Sequence, residues 1–276
     1  MAGFNARGEP IGRSGPTSGI PEAVGVLGLG EAGAAIAADL VALGVRVLGW
    51  DPDPARTVAG VAIVSSAGDA AAATIVVSVN SQAAAVRAAR AVQAVLTPGH
   101  LYADMNTTST AVKRSVAAIV APTGATFVDV ALLAPVPLGG IRTRCLASGP
   151  GADRFAAAFG PLGMPVEVLG GEPGDAAGRK LLRSVVMKGI AAAIVESLAA
   201  ARSAGCEDWL RAEVEAILAG ADAGLVERLV TGSAVHAVRR TAEMEAAAAL
   251  EIELGVEPHV AAAAASVLRA LADART

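Results

Sequence analysis

Three glycines in the stretch VGVLGLGEAGAAIA leave a turn almost without side chains. They give G-x-G-x-x-G as Gly28, Leu29, Gly30, Glu31, Ala32 and Gly33. Such a turn suits a pyrophosphate. Gly28 permits the bend, Gly30 lets the backbone approach the phosphates, and Gly33 lets the following helix pack closely on the strand. The helix N-terminus adds unpaired N–H groups and the positive end of its dipole. In a chain with 31 glycines the pattern is weak alone. Its place after a β-branched run and before an alanine-rich one gives it force. The second β-branched run ends at Asp51, whose carboxylate can accept from both adenine-ribose hydroxyls and repels a 2′-phosphate, which favours NAD(H). The alternative for Asp51 is a turn residue of WDPDP, and Arg56, little more than a helical turn on, could hold a phosphate, so NADP(H) stays open. Val79 and Asn80, where another β-branched run closes, are also assigned to the cofactor.

Two further clusters could do chemistry. Lys180, Ser184 and Lys188 are spaced by four and share one face of a helix. A lysine beside a nicotinamide can take the proton of a hydroxyl or return it, provided burial or a second cation (Lys188 or Arg183) lowers its pKa. The competing reading is a solvated helix lysine; Lys188 reads either as a contact for a substrate anion or as half of an ion pair. His236, Arg239 and Arg240 form the second cluster, read as a cationic rim over a substrate or as intrahelical pairs such as Arg239–Glu243. His100 in a Pro-Gly-His turn and His259 after Pro258 read as surface residues. No His, Cys and Asp grouping has metal-ligand spacing, and no metal is expected. Neither G-x-S-x-G nor G-x-x-x-x-G-K-[ST] occurs.

The elements that must hold these residues fall into two halves. Strands are predicted at Val24–Leu27, Val45–Trp50, Ile75–Val79, Leu101–Asp104 and Thr126–Val130, with weaker ones near Leu146 and at Val166–Leu169. Helices are predicted between the first five, at Ala32–Leu43, Pro54–Val58, Ala83–Leu96 and Ala111–Val120. Continuous apolar strands alternating with helices imply a parallel sheet covered on both faces. Past Gly174 the chain reads as helix only: a long one from Asp175 to about Ser203, then Glu207–Leu218, Leu225–Leu229, Val235–Leu254 and Pro258–Ala272. Trp209 fits the apolar face of its helix and reads as packing. The expected organisation is a disordered leader over residues 1–20, a Rossmann dinucleotide-binding domain over 21–174 and a helical domain over 175–276: α/β, then all-α.

Composition limits the partners. The chain of 276 residues is 54% hydrophobic, enough for a sizeable core, and only 3% aromatic. Its formal charge of −4, with no basic block, is unsuited to nucleic acid. No charge-free apolar run is long enough to span a bilayer, so no membrane partner is expected. Cys145 and Cys206 read as free thiols of a reducing cytoplasm. The segment GIAAAIVESLAAA is apolar nearly all round, which implies partners on every side and a homodimer.

GLGEAG, a strand ending in Asp51, DMNTTST at 104–110, FVDVALLAP at 127–135 and GDAAGRKLLRS at 174–184 occur in the order of the β-hydroxyacid dehydrogenases. The chain resembles that family, the 3-hydroxyisobutyrate and 6-phosphogluconate dehydrogenase-like enzymes. HAVRRTAEMEAAAALEIELGVEP is similar to the branch with a phosphogluconate dehydrogenase, NAD-binding-like C-terminal domain. The resemblance implies a Rossmann domain, a long interdomain helix, a helical domain that helps form a dimer, and a small-molecule substrate between the domains. It implies that Lys180 is the catalytic lysine, with Ser184 where the family has asparagine. It places the substrate motif D-x-S-T on Asp104–Thr107, so that Asn106 and Thr107 bind substrate, Asn106 replacing the serine. Leu133, Ala134 and Pro135 stand where the family's Ser-Gly-Gly binds a carboxylate, which points to a larger or more apolar substrate. The family's second lysine falls on Ala242, and Arg239, a turn earlier, takes its place; His236 joins it as a substrate contact. The implied activity is hydride transfer between NAD(P) and a 3-hydroxyacid or related alcohol. The rivals are an imine reductase, a type that usually lacks this lysine, and a dinucleotide-binding protein without turnover.

Overall fold

A computed structural model describes residues 20–274; the expected leader, apart from Ile20, lies outside the described residues. The chain divides into two compact units, one ending at Leu182 and one beginning at Arg183.

The first unit runs β1 (Ala23–Leu27), α1 (Glu31–Ala42), β2 (Arg46–Trp50), β3 (Ala62–Ile63), α2 (Ala67–Ala70), β4 (Ile75–Ser78), α3 (Ala85–Gln93), β5 (Leu101–Asp104), α4 (Thr110–Val120), β6 (Thr126–Leu132), α5 (Val136–Gly139), β7 (Cys145–Ser148), α6 (Ala152–Phe159) and β8 (Val166–Gly170). The strands form one sheet in the order β3-β2-β1-β4-β5-β6-β7-β8. Alternate strand residues face opposite ways. Val24, Val26, Val128 and Val130 pack with Ile36, Leu40 and Phe155 of α1 and α6. Leu27, Tyr102 and Phe127 pack on the other face with Ala89, Val92, Val116 and Val120 of α3 and α4. Both faces are thus covered, which is why the strands read as unbroken apolar runs.

All neighbouring strands are parallel except β6 and β7. The five strands expected to form the parallel sheet do so, and the reversal falls at the weaker candidate near Leu146. A parallel return needs a crossover of a dozen or more residues, usually a helix. The link from β6 to β7, residues 133–144, holds Pro135 and Pro137, forms only the short turn of α5 and a 3-10 turn at Gly140–Arg142 in place of a crossover helix, and closes with a hydrogen bond from the Leu133 N–H to the Arg144 carbonyl, 2.9 Å. It therefore reverses the chain. Between β7 and β8 the helix α6 makes a crossover, and those two strands are parallel. α6 and the two-residue β3 were not anticipated.

The helix expected at Pro54–Val58 does not form. Asp53 Oδ1 instead accepts the Ala55 N–H at 3.0 Å, an Asx turn that competes with helix. His100 is buried rather than on the surface: its Nδ1 lies 2.8 Å from Thr97 Oγ1 and its Nε2 2.9 Å from the Ala71 carbonyl.

α7 (Asp175–Ser203) starts in the first unit, and the helical unit continues with α8 (Glu207–Ala219), α9 (Leu225–Val235), α10 (Ala237–Glu253) and α11 (His259–Asp273). The division falls eight residues beyond the change of pattern at Gly174, because the first turn of α7 belongs to the sheet: Ala176 and Ala177 are buried there. In the helical unit, Glu196 of α7 accepts the N–H groups of Val260 (2.8 Å) and Ala261 (2.9 Å), supplying the cap that Pro258 cannot give α11.

With 29 residues and a window of mean hydropathy 1.6, α7 is long and apolar enough to cross a membrane by length and composition. Its apolar stretch is interrupted by Lys188 and Glu196, so it is not a charge-free run. Soluble core helices pass the same test, but only 11% of this window is buried within the chain. Trp209, expected in packing, is 63% exposed.

Candidate functional site

The order of the strands fixes where a ligand can bind. The chain winds outward from β1 to β2 and β3, then returns to β4 on the other side of β1. At such a switch point the two loops after the strands part and leave a crevice at their carboxyl ends. The loop after β1 is Gly28–Gly30, with Gly33 in the first turn of α1, and the residues after β4 are Val79 and Asn80. Gly28 has φ +101°, and a Cβ there would lie 2.3 Å from the Val79 carbonyl oxygen. A Cβ on Gly33 would lie 1.9 Å from the Gly28 carbonyl oxygen. Neither position admits a side chain. Gly30 differs: the nearest atom to its absent Cβ is Arg56 Nη1 at 3.9 Å, so this glycine faces open space. It is the N-cap of α1, no side chain caps that helix, and Glu31 is exposed in its first turn. Free amide donors around an open glycine fit a dinucleotide pyrophosphate.

Asp51 lies beside this loop. Its Oδ2 accepts the Leu29 N–H at 2.7 Å and its Oδ1 the Asp53 N–H at 2.9 Å. Leu29 itself is buried in the core, and Ala32 packs partly against it. Arg56 is half exposed, with its Nε 3.6 Å from Asp53 Oδ2.

Asn80 donates its side-chain amide to the Leu27 carbonyl and to Ser78 Oγ, both at 3.0 Å. Its backbone N–H is held in a short hydrogen bond to Asn106 Oδ1. Asn106 also donates through Nδ2 to Ser78 Oγ at 3.0 Å and is buried. Much of its amide is thus engaged within the protein, tying the loop after β5 to the loop after β4. Thr107, the next residue, is exposed, and its Oγ1 accepts from Lys180 Nζ at 2.7 Å across 73 residues of sequence. Leu133 packs with Ala131, Leu146 and Ala176, while Ala134 and Pro135 are exposed.

Lys113, which the sequence reading passed over, is fully buried beneath this group between Asp104 and Asp129. Its signal was present: position 113 shares the buried stripe of α4 with Val116 and Val120. Burial pushes the Asp104 carboxyl above its ordinary range, with Lys113 opposing and Asp129 adding to the rise.

The remaining candidates lie in the helical unit. Ser184 is half-buried and Lys188 exposed on α7. His236 is exposed at the break between α9 and α10, where it and Arg239 line a cavity of about 480 Å³ with Ala234 and Ala272. Arg239 lies 3.7 Å from Glu243 along its own helix, and Arg240 donates to Ser233 Oγ at 2.7 Å. Among the described residues no group of three or more His, Cys, Asp or Glu could hold a metal.

Residues 23–137 match the NAD binding domain of 6-phosphogluconate dehydrogenase, and residues 201–271 match a domain of unknown function, DUF1932. An uncharacterised 28.5 kDa protein of Methanothermus fervidus is 28% identical over 144 residues, which span 52% of this chain and 55% of that protein. A conserved protein of unknown function, described as structurally similar to 3-hydroxyacid dehydrogenases, is 28% identical; the match covers 92% of this chain and 98% of that one, with a TM-score of 0.60. An imine reductase from Myxococcus stipitatus in complex with NADP+ shares the fold at 21% identity, over 92% of this chain and 95% of that one, with a TM-score of 0.78. A variant of that enzyme in complex with NAD+ aligns similarly, with a TM-score of 0.76.

Proposed function

We propose that this chain, similar to the β-hydroxyacid dehydrogenases in its NAD-binding domain and in its overall fold, is an NAD(P)-dependent oxidoreductase acting on a 3-hydroxyacid or related alcohol. The observation that carries this reading is the 2.7 Å bond between Lys180 Nζ and Thr107 Oγ1. It joins two residues that resemblance assigns to proton transfer and substrate binding, in the unit that holds the glycine turn. When bound, the nicotinamide supplies or accepts the hydride. The amides around Gly30 hold the pyrophosphate, and Asp51 receives the adenine ribose, which favours NAD(H); Arg56 keeps NADP(H) within reach. Thr107 orients the substrate hydroxyl against Lys180. In oxidation the neutral Lys180 amine accepts the hydroxyl proton; in reduction its ammonium returns it. Asn106 contributes by holding its loop. Ser184, Lys188, His236 and Arg239 retain their assignment as substrate contacts.

The exposed Ala134 and Pro135 offer no side-chain donor to a carboxylate. This supports a larger or more apolar substrate and keeps imine reduction as a second reading. A panel of 3-hydroxyacids, bulky β-hydroxy amino acids and cyclic imines, followed through nicotinamide absorbance, separates the two. Oxidation of a hydroxy compound is expected. Turnover of imines alone would install the second reading, and absence of any hydride transfer would favour a non-catalytic binding protein. The cytoplasm is the compartment proposed, in keeping with two free cysteines.

A further inference from the structure

We infer that Lys113 is a positioning residue for the Lys180–Thr107 pair, holding both partners from beneath through Asp104 and Asp129. The catalytic meaning of the inference rests on the function proposed above; the geometry does not. One arm runs upward through β5. Lys113 Nζ donates to the Asp104 carbonyl at 2.7 Å and to Asp104 Oδ1 at 3.1 Å. The same Oδ1 accepts the Asn106 N–H at 2.9 Å, which fixes the loop that presents Thr107. The other arm runs through β6. Lys113 Nζ lies 3.0 Å from Asp129 Oδ1, while Asp129 Oδ2 accepts the Ala177 N–H at 2.9 Å and lies 3.5 Å from Ser148 Oγ. Ser148 Oγ accepts the Ala176 N–H at 3.0 Å. The first turn of α7 is thereby anchored immediately before Lys180. The two arms meet again at Lys180 Nζ and Thr107 Oγ1, so the cluster closes a ring around the pair.

The residue types support this. A charge in a dry core is a poor source of stability, since an apolar side chain of similar size usually serves as well. Position 113 lies on a stripe with Val116 and Val120 that would accept one. The chain has only three lysines, Lys113, Lys180 and Lys188, and places one where no solvent reaches. An ammonium offers three rotatable donors from one point and so can serve acceptors on two strands at once, which a planar guanidinium cannot do in the same way.

The test is a double-mutant cycle on the best substrate of the panel. Lys113→Met should lower turnover about tenfold to a hundredfold, the scale of a small misplacement of a reacting group. NADH affinity, held by the glycine turn, should stay unchanged. In a Lys180→Ala background the same substitution should cost nothing further, because the group it positions is gone. Multiplying losses would overturn the inference and leave Lys113 a stability residue. If Lys113→Met does not fold, Asp129→Asn takes its place in the cycle with the same expectation. A measurement without substrate runs in parallel. In protein labelled with 13C at lysine Cε, the Lys180 signal should move in Lys113→Met or Asp129→Asn while that of Lys188 stays in place. An unmoved Lys180 signal also overturns the inference. Full turnover by Lys180→Ala alone contradicts the proposed function instead, and the spectrum then decides the positioning claim by itself.

Discussion

Asp51 spends one lone pair of each carboxylate oxygen on a backbone N–H, at Leu29 and at Asp53. The second lone pair of each oxygen stays available to the ribose hydroxyls. NADH should therefore bind more tightly than NADPH in a nicotinamide-fluorescence titration. Arg56→Ala should weaken NADPH and leave NADH nearly unchanged. Tighter binding of NADPH by the unaltered protein would contradict the role given to Asp51. The cysteines make a second prediction at this scale: burial pushes the Cys145 thiol up to about 12, and Cys206 is half-buried. A thiol reagent should label one cysteine in the native protein and both after unfolding; two fast-reacting thiols would contradict the buried position of Cys145. Side-chain direction is what the sequence conceals at this scale. The motif DMNTTST points to the loop after β5, where Asn106 directs its amide to Asn80 and Ser78, 26 and 28 residues away. Lys113 shares the stripe of Val116 and Val120, but a lysine reads as solvated until its partners on β5 and β6 are known.

The elements were more legible. β1, β2, β4, β5 and β6 stand where β-branched runs are bounded by turn residues, and the long helix begins at Asp175 as its pattern requires. β3 escaped because two residues carry no period. The Pro54–Val58 turn shows local side-chain bonding overriding a run that reads as helical. Within the helical unit the sharpest element-scale dependence is the cap of α11 by Glu196. Burial raises the Glu196 pKa, but the N–H groups of Val260 and Ala261 outweigh it and hold the carboxyl below its usual range. Its stabilisation is present above the ordinary glutamate range and is lost as the pH falls through the lowered value. Glu196→Gln should cost about 1 kcal/mol near neutral pH, the usual worth of an N-cap, and little in acid. Glu251 behaves oppositely: burial, with the Glu196 charge beside it, raises its pKa. Its contribution is full below the ordinary range and is lost as the pH rises through the raised value. Glu251→Gln should hold its melting temperature better than the unaltered protein from pH 5 to pH 8. Parallel curves of Glu251→Gln and the unaltered protein across that range would contradict the Glu251 assignment, and a cost of Glu196→Gln that stays the same as the pH falls below the ordinary glutamate range would contradict the Glu196 assignment.

At the scale of the whole molecule, the strand order and the antiparallel β7 depend on how the links run between strands, which no local pattern carries. The apolar surface left on the helical unit sets the prediction here. Val185, Val195, Trp209, Val226 and Val230 are each more than half exposed in the single chain. A patch of that kind calls for a partner, and a second copy is the one proposed. Light scattering at micromolar concentration should give twice the chain mass of 27.2 kDa; a monomeric mass would contradict a homodimer. In the function proposed, this molecule moves a hydride to or from a bound nicotinamide while Lys180 moves the proton. That function is tested most directly by the turnover of Lys180→Ala on the best substrate, with NADH affinity measured on the same preparation. Turnover should fall by about a hundredfold to ten-thousandfold, with NADH affinity unchanged. Full turnover by the variant would contradict that function.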